Sequence, residues 1–174
     1  TGVAMMDCKK ALVECKGDVE KALDLLRSNS ALKAEKKSSR VAADGILVTS
    51  ICNGYATMAE INSETDFAAK DANFLEFADK VKEYISQNKI TDIASLTESN
   101  LEDDRKNLVQ TIGENIQLRR ISTIEFDNEM HVGLYLHSDS KLASITTIKG
   151  GNADVAKDVA MHVSAFNPLC LSED

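Results

Sequence analysis

Apolar residues change their spacing along the chain, and the changes divide it. Met5, Cys8, Leu12 and Cys15 recur every three or four positions, which predicts an amphipathic helix over residues 4–16. Gly17 stands where a C-terminal cap belongs, and Asp18 is a good N-cap for a second helix carrying Val19, Ala22, Leu23 and Leu26 on its inner face. Two helices this short cannot enclose their own apolar stripe. A third element has to cover them, and the expectation is that it precedes Thr1. "KAEKKSSR", Lys33 to Arg40, is polar, basic and rich in serine, and reads as a solvated linker rather than a nucleic-acid patch.

From Asp44 the period drops to two. "GILVTSICNGYATMAEIN" holds two alternating runs joined by Asn53-Gly54, the dipeptide that type I′ hairpin turns prefer. A long helix follows, with Asp71 as N-cap and Phe74, Ala78, Val81 and Ile85 buried, and another over roughly Glu98 to Ile112 with Leu101, Leu108 and Ile112 inward and Gly113 closing it. "NIQLRRISTIEF" predicts a strand whose alternation slips at Arg119-Arg120, as at a bulge. In "HVGLYLH", Val132, Leu134 and Leu136 share one face, with Tyr135 and His137 on the other, and "KLASITTI" is a further strand. Gly150-Gly151 then turns the chain and Asn152 caps a helix bearing Val155, Val159, Val163 and Phe166, with His162 read as a core histidine among them. Hairpins grouped with helices make α+β the predicted class.

Composition narrows the functions. At 174 residues the chain can bury a substantial core. Its formal charge of -8 argues against a broad phosphate-binding surface. No apolar run approaches the roughly 20 residues that span a bilayer, and Asp7, Lys9 and Lys10 interrupt anything like a signal peptide. Cys8, Cys15, Cys52 and Cys170 include no Cys-x-x-Cys pair, which favours reduced thiols in a cytoplasmic setting over a zinc site; no metal or cofactor is expected. Cys52 lies beside a hairpin turn with no helix N-terminus to activate it, so a cysteine hydrolase has little support. The abrupt start at Thr1 reads as a fragment.

One stretch resists a purely structural reading. In "INSETDFAAKDANF" an alternating strand ends in Thr65-Asp66-Phe67, an acid and a bare ring at a helix start. Phe67 is either a staple turned into the core or a wedge turned outward. Staples are the commoner arrangement, but Phe74 and Phe77 already supply ring volume to the same helical region. Asp66 is open to the same choice, as N-cap, first-turn acid or contact. Met5 and Met6 point about 100° apart on a helix; core packing suits Met5 and leaves Met6 as an adaptable surface contact. His131 has no case for a role.

"AMMDCKKALVECKGDVEKALDLLR", "VAADGILVTS", "EINSETDFAAKDANFLEFADKV", "IGENIQLRR", Tyr135-Leu136-His137 and "AMHVSA" together resemble the elongation factor Ts family, in order and over essentially the whole chain. The resemblance implies a ubiquitin-associated-like helical module at 1–30, a basic linker at 31–43, a first core subdomain at 44–126 and a partial second one at 127–174. It also implies that the family's first helix and the completion of the second core half, beyond "NPLCLSED", are missing. The implied activity is guanine-nucleotide exchange on elongation factor Tu without covalent chemistry, with no direct nucleic-acid or membrane partner and room for a homodimer in the full-length form.

Under the resemblance, Thr65, Asp66, Phe67 and Ala68 disturb the partner's magnesium and phosphate site, so Phe67 becomes the outward wedge. Met5 and Met6 both lie against the partner's nucleotide-binding domain, His137 touches a later domain, and Ile112, Gly113 and Lys37 add further contacts. The competing expectation is a non-catalytic interaction fragment that works through the ubiquitin-associated-like module alone.

Overall fold

The computed structural model describes residues 2–172. Thr1 and the last two residues of the closing "NPLCLSED" segment lie outside the described residues. Helix α1 (Met5–Glu14) ends on Lys16 and Gly17, both with positive φ, and the Gly17 amide reaches back to the Leu12 carbonyl at 2.8 Å. Asp18 then caps α2 (Val19–Lys37) through the Lys21 amide. Two helical expectations change here. The first is the inward stripe: Met5 is 84% exposed and Leu12, Val19 and Leu23 are also exposed, while the contact between α1 and α2 is made by Ala11, Ala22 and Leu26 with Cys8 and Cys15 beside them. Ala22 and Leu26 face inward as expected, the small side chains of Ala11 and Ala22 let the helices approach around Leu26, and Met5, Leu12, Val19 and Leu23 are left at the rim.

The second correction is the linker. Residues 33–37 continue α2 rather than forming a solvated tether. Ala, Glu and Lys are strong helix formers, and this end of the helix has a surface to pack on. Ser30 and Ala34 are buried against α6 (Leu101–Ile112), where the Ser30 hydroxyl donates to Asn107 at 3.2 Å. Only residues 38–43 stand between the end of α2 and the start of the sheet.

Strands β1 (Asp44–Cys52), β2 (Tyr55–Ser63) and β3 (Gln117–Glu125) form an antiparallel sheet in the order β1-β2-β3. Asn53 and Gly54 both have positive φ, as the I′ turn requires. The bulge falls where the alternation slips: Glu60 pairs with Arg120 and Ile61 with Leu118, leaving Arg119 as the extra residue. Both arginines turn to Glu60. Burial alone would push that carboxyl up, but the hydrogen bonds from Arg120 and Asn62 and the two guanidinium charges hold it below its ordinary value.

Helices α3 (Asp66–Ala69), α4 (Ala72–Gln87), α5 (Ile93–Thr97) and α6 pack with this sheet around Ile61, Phe74, Val81, Leu96, Val109 and Ile116, all fully buried. Asp71 caps α4 as expected, and α5 is a short helix, capped by Asp92, that lies before the helix expected over Glu98 to Ile112 and has no counterpart in the sequence expectations.

Strands β4 (Met130–Leu136) and β5 (Ala143–Lys149) make a separate antiparallel pair, joined to α7 (Ala153–Phe166) through a turn at Gly150-Gly151. The stripe expected to be buried on α7 is wrong. Val155, Val159 and Phe166 are exposed, and Ala156 and Ala160 are the buried positions. The helix lies on the sheet face of Gly133, Ser144 and Thr146, where missing and short side chains admit its backbone. The Ser144 hydroxyl donates to the Ala160 carbonyl, and the Thr146 hydroxyl to the Ala156 carbonyl at 3.0 Å. His162 is exposed rather than core, with its ring centroid 4.3 Å from that of Phe166. Val132, Leu134 and Leu136, on the opposite face of β4, are half-buried.

Candidate functional site

The turn between β2 and α3 is built by its backbone first. The Thr65 hydroxyl accepts from the Ala68 amide at 3.2 Å, which makes Thr65 the N-cap and Asp66 the first helical residue. The same hydroxyl donates to Glu114 Oε1 at 2.7 Å, the Thr65 amide donates to Glu114 Oε2 at 3.0 Å, and Ser63 donates to the Thr65 carbonyl at 2.9 Å. Glu64 completes a reciprocal clamp by accepting from the Asn115 amide at 2.6 Å. Each of the two acids therefore holds the backbone amide of the residue that follows the other. Asn115, only 1% exposed, also donates to the Arg40 carbonyl at 2.7 Å, so the chain entering β1 is tied to the same point.

On this fixed turn Phe67 is 81% exposed. No staple forms. Ala68 and Ala69 fill the inward positions at 5% and 3% exposure, so Ala68, expected among the contact residues, seats the turn and has almost no surface to offer. The hydrogen bond from Lys70 at 2.9 Å holds the Asp66 carboxyl below its ordinary value, with the charges of Lys70 and Lys141 acting in the same direction, so Asp66 stands ionised beside the ring.

Gly113 is the left-handed C-cap of α6, φ 87°, and its carbonyl accepts from the Lys37 ammonium, whose pKa is lowered chiefly by burial. Ile112 is half-buried and packs against the core. Lys37, Ile112, Gly113 and Thr65 thus gather around one loop, residues 113–115. A Cβ at Gly2 would lie 3.8 Å from Thr111 Oγ1, which brings the start of α1 to the same end of α6. On α1 itself Met5, Met6, Leu12 and Val13 are exposed, and Met5, Leu12 and Val13 line a shallow apolar groove. His137 belongs to another sheet, just past β4, exposed, with its Nδ1 2.8 Å from the Tyr135 hydroxyl.

Glu64, Glu114 and Asn115 had no place in the sequence reading. "IGEN" was legible as a motif, but the partners lie 49 and 51 residues apart, and no spacing rule connects them. Glu114→Ala should remove two hydrogen bonds to a carboxylate and cost about 2 kcal/mol of stability. Urea titration would show it, and Glu114→Gln, which keeps an acceptor, should recover part of the loss.

Among the described residues no three His, Cys, Asp or Glu side chains converge as a metal site requires, no cysteine is bridged to another, and no helix is long and apolar enough to cross a membrane. The turn offers an exposed ring and a carboxylate on a rigid base.

Comparison with known proteins gives consistent matches. The sequence model of the family described as Elongation factor TS matches residues 64–174, starting at the acid of the clamp. Three curated relatives are named elongation factor Ts. That of Hahella chejuensis is 49% identical over 176 residues, covering 100% of this chain and 60% of the relative. That of Marinobacter nauticus is 48% identical, covering 97% and 58% respectively. That of Saccharophagus degradans is 47% identical, again covering 97% and 58%. The chain spans about three fifths of the length of these relatives.

Proposed function

The chain belongs to the elongation factor Ts family, and from that premise we propose that it binds elongation factor Tu in the cytoplasm and promotes release of GDP so that GTP can take its place. The observation that carries the proposal is Phe67, 81% exposed on a turn clamped from both sides. A large apolar ring held in water by a rigid backbone gains only when a partner covers it. Asp66, ionised beside it, adds a carboxylate able to compete for a cation that the partner holds. The ring displaces what surrounds the magnesium and phosphates, and the acid weakens the hold on the metal.

In this reading Met5 and Met6 of the helical module, Ile112 and Gly113 of the central loop and His137 of the second sheet are additional contacts. Lys37 supports the Gly113 backbone as well as presenting its charge. The two sheets correspond to the first core subdomain and a partial second one. No covalent step is involved. The whole effect is a difference in affinity for the nucleotide-bound and nucleotide-free partner.

That difference must be reciprocal. If the chain weakens GDP binding by some factor, GDP with magnesium weakens the chain's binding by the same factor. Calorimetric titration into nucleotide-free and GDP-loaded elongation factor Tu should give dissociation constants that differ by about tenfold or more. Equal constants would rule out exchange and leave a plain binding module.

A further inference from the structure

The turn after β4 does more than present His137. Its carbonyls and amides close on themselves, Ser140 N–H to His137 at 2.9 Å and His137 N–H to Leu142 at 2.8 Å, with Ser140 at φ 56°. So folded, it docks on the open edge of the first sheet. The Leu47 amide donates to the Ser140 carbonyl at 2.7 Å, and the Lys141 ammonium donates to Asp44 Oδ1 at 2.6 Å.

Asp44 is a stiff anchor. Its carbonyl accepts from Asn62 at 2.9 Å, and the next residue, Gly45, sits so close to β2 that a Cβ there would lie 2.0 Å from the Ile61 carbonyl oxygen. The register places Asp44 opposite Ser63, three residues before Asp66. Lys141 consequently lands near the Phe67 turn, and its ammonium and the Asp66 carboxylate feel each other's charge.

We propose that Lys141 is a positioning residue: paired with Asp44, it latches the His137 turn to the sheet edge beside Asp66-Phe67, so that two contact points from different sheets meet the partner at a fixed separation. The inference rests on the exchange reading for its functional half, while the latch itself can be measured without the partner. Nothing else in the turn makes an ion pair to the first sheet among the described residues, and Lys141 is about half-exposed, so its removal need not disturb a core.

The test uses the whole chain and two readouts. Lys141→Ala and Asp44→Ala should each speed hydrogen exchange of the Leu47 amide by about three- to fivefold, the scale of a partly exposed ion pair, with the Val81 amide unchanged. They should also slow release of a fluorescent GDP analogue from elongation factor Tu by a similar factor. Lys141→Arg, which keeps the cation, should retain both, while Lys141→Met, which keeps the stem without the charge, should lose them, which a loss of mere packing would not allow. Unchanged Leu47 protection in Lys141→Ala, or retained protection in Lys141→Met, overturns the latch. Loss of Leu47 protection with normal GDP release overturns its role in exchange. A wild-type chain that leaves GDP release at its spontaneous rate overturns the exchange reading instead, and with it the functional half of the inference.

Discussion

Phe67→Ala is expected to slow stimulated GDP release from elongation factor Tu by about ten- to a hundredfold while leaving the chain folded. The two halves of this expectation come from the same observation. A ring that is 81% exposed makes few contacts within the chain, so its loss falls in the range of ordinary surface changes, within about 0.5 kcal/mol. For a chain of this size that moves the melting temperature by about 1–2 °C. At the interface the ring's burial is worth about 2–3 kcal/mol, and each 1.4 kcal/mol is roughly tenfold in an equilibrium constant. Were the ring a buried staple, truncation would instead cost about 3–5 kcal/mol of folding stability. Stopped-flow release of a fluorescent GDP analogue, run beside thermal melting, separates the two. Asp66→Ala should act in the same direction but less, because Thr65 and not Asp66 carries the cap and the acid lost is paired with Lys70. Normal release with Phe67→Ala would remove the wedge from the mechanism.

The strand-to-helix turn was readable because its parts are local. Alternation that runs out before Thr65, an acid at the helix start and a bare ring beside it all lie within one window, although the cap proved to be Thr65 and not Asp66. What fixes the turn was not readable, since the Glu64–Asn115 and Thr65–Glu114 bonds join loops that only the folded chain brings together. The helices failed in a different way. Periodicity weighs large side chains, so Met5, Leu12, Val155 and Val159 looked inward. The observed contacts run through Ala11, Ala22, Ala156 and Ala160, where backbones approach closely and bulk is excluded. Lys33 to Lys37 looked like a tether because their charges face water, but Ala34 among them is 3% exposed and holds the helix to α6. The fold class survives these errors because it depends on where the period changes, not on which face of each helix is covered.

Gly133 is where close approach is tightest, and its substitution should be the most damaging to the second sheet. A Cβ built at Gly133 would lie 1.8 Å from the Ala156 carbonyl oxygen and 2.7 Å from the Lys157 nitrogen. Its backbone sits in β4 without positive φ, so alanine meets no conformational penalty there and the whole effect is steric. The obstructing atoms are helix backbone, which cannot rotate aside as a side chain tip would. Helix α7 must lift from the sheet, and with it go the hydrogen bonds from Thr146 to Ala156 and from Ser144 to Ala160, about 1 kcal/mol each. Overpacking of this kind costs about 3 kcal/mol at the upper end of its usual range, so Gly133→Ala should lose about 3–5 kcal/mol in urea titration once both contributions are counted. Hydrogen exchange should place the loss in α7, β4 and β5, with Ile61 and Val81 in the first core protected as before. Gly150→Ala is the comparison: it has open space around its Cβ but φ 77°, so it should cost about 1–2 kcal/mol through backbone strain alone. If Gly133→Ala kept wild-type protection in α7, the helix would have to slide on the sheet without loss, and the packing of small residues would not be what holds it.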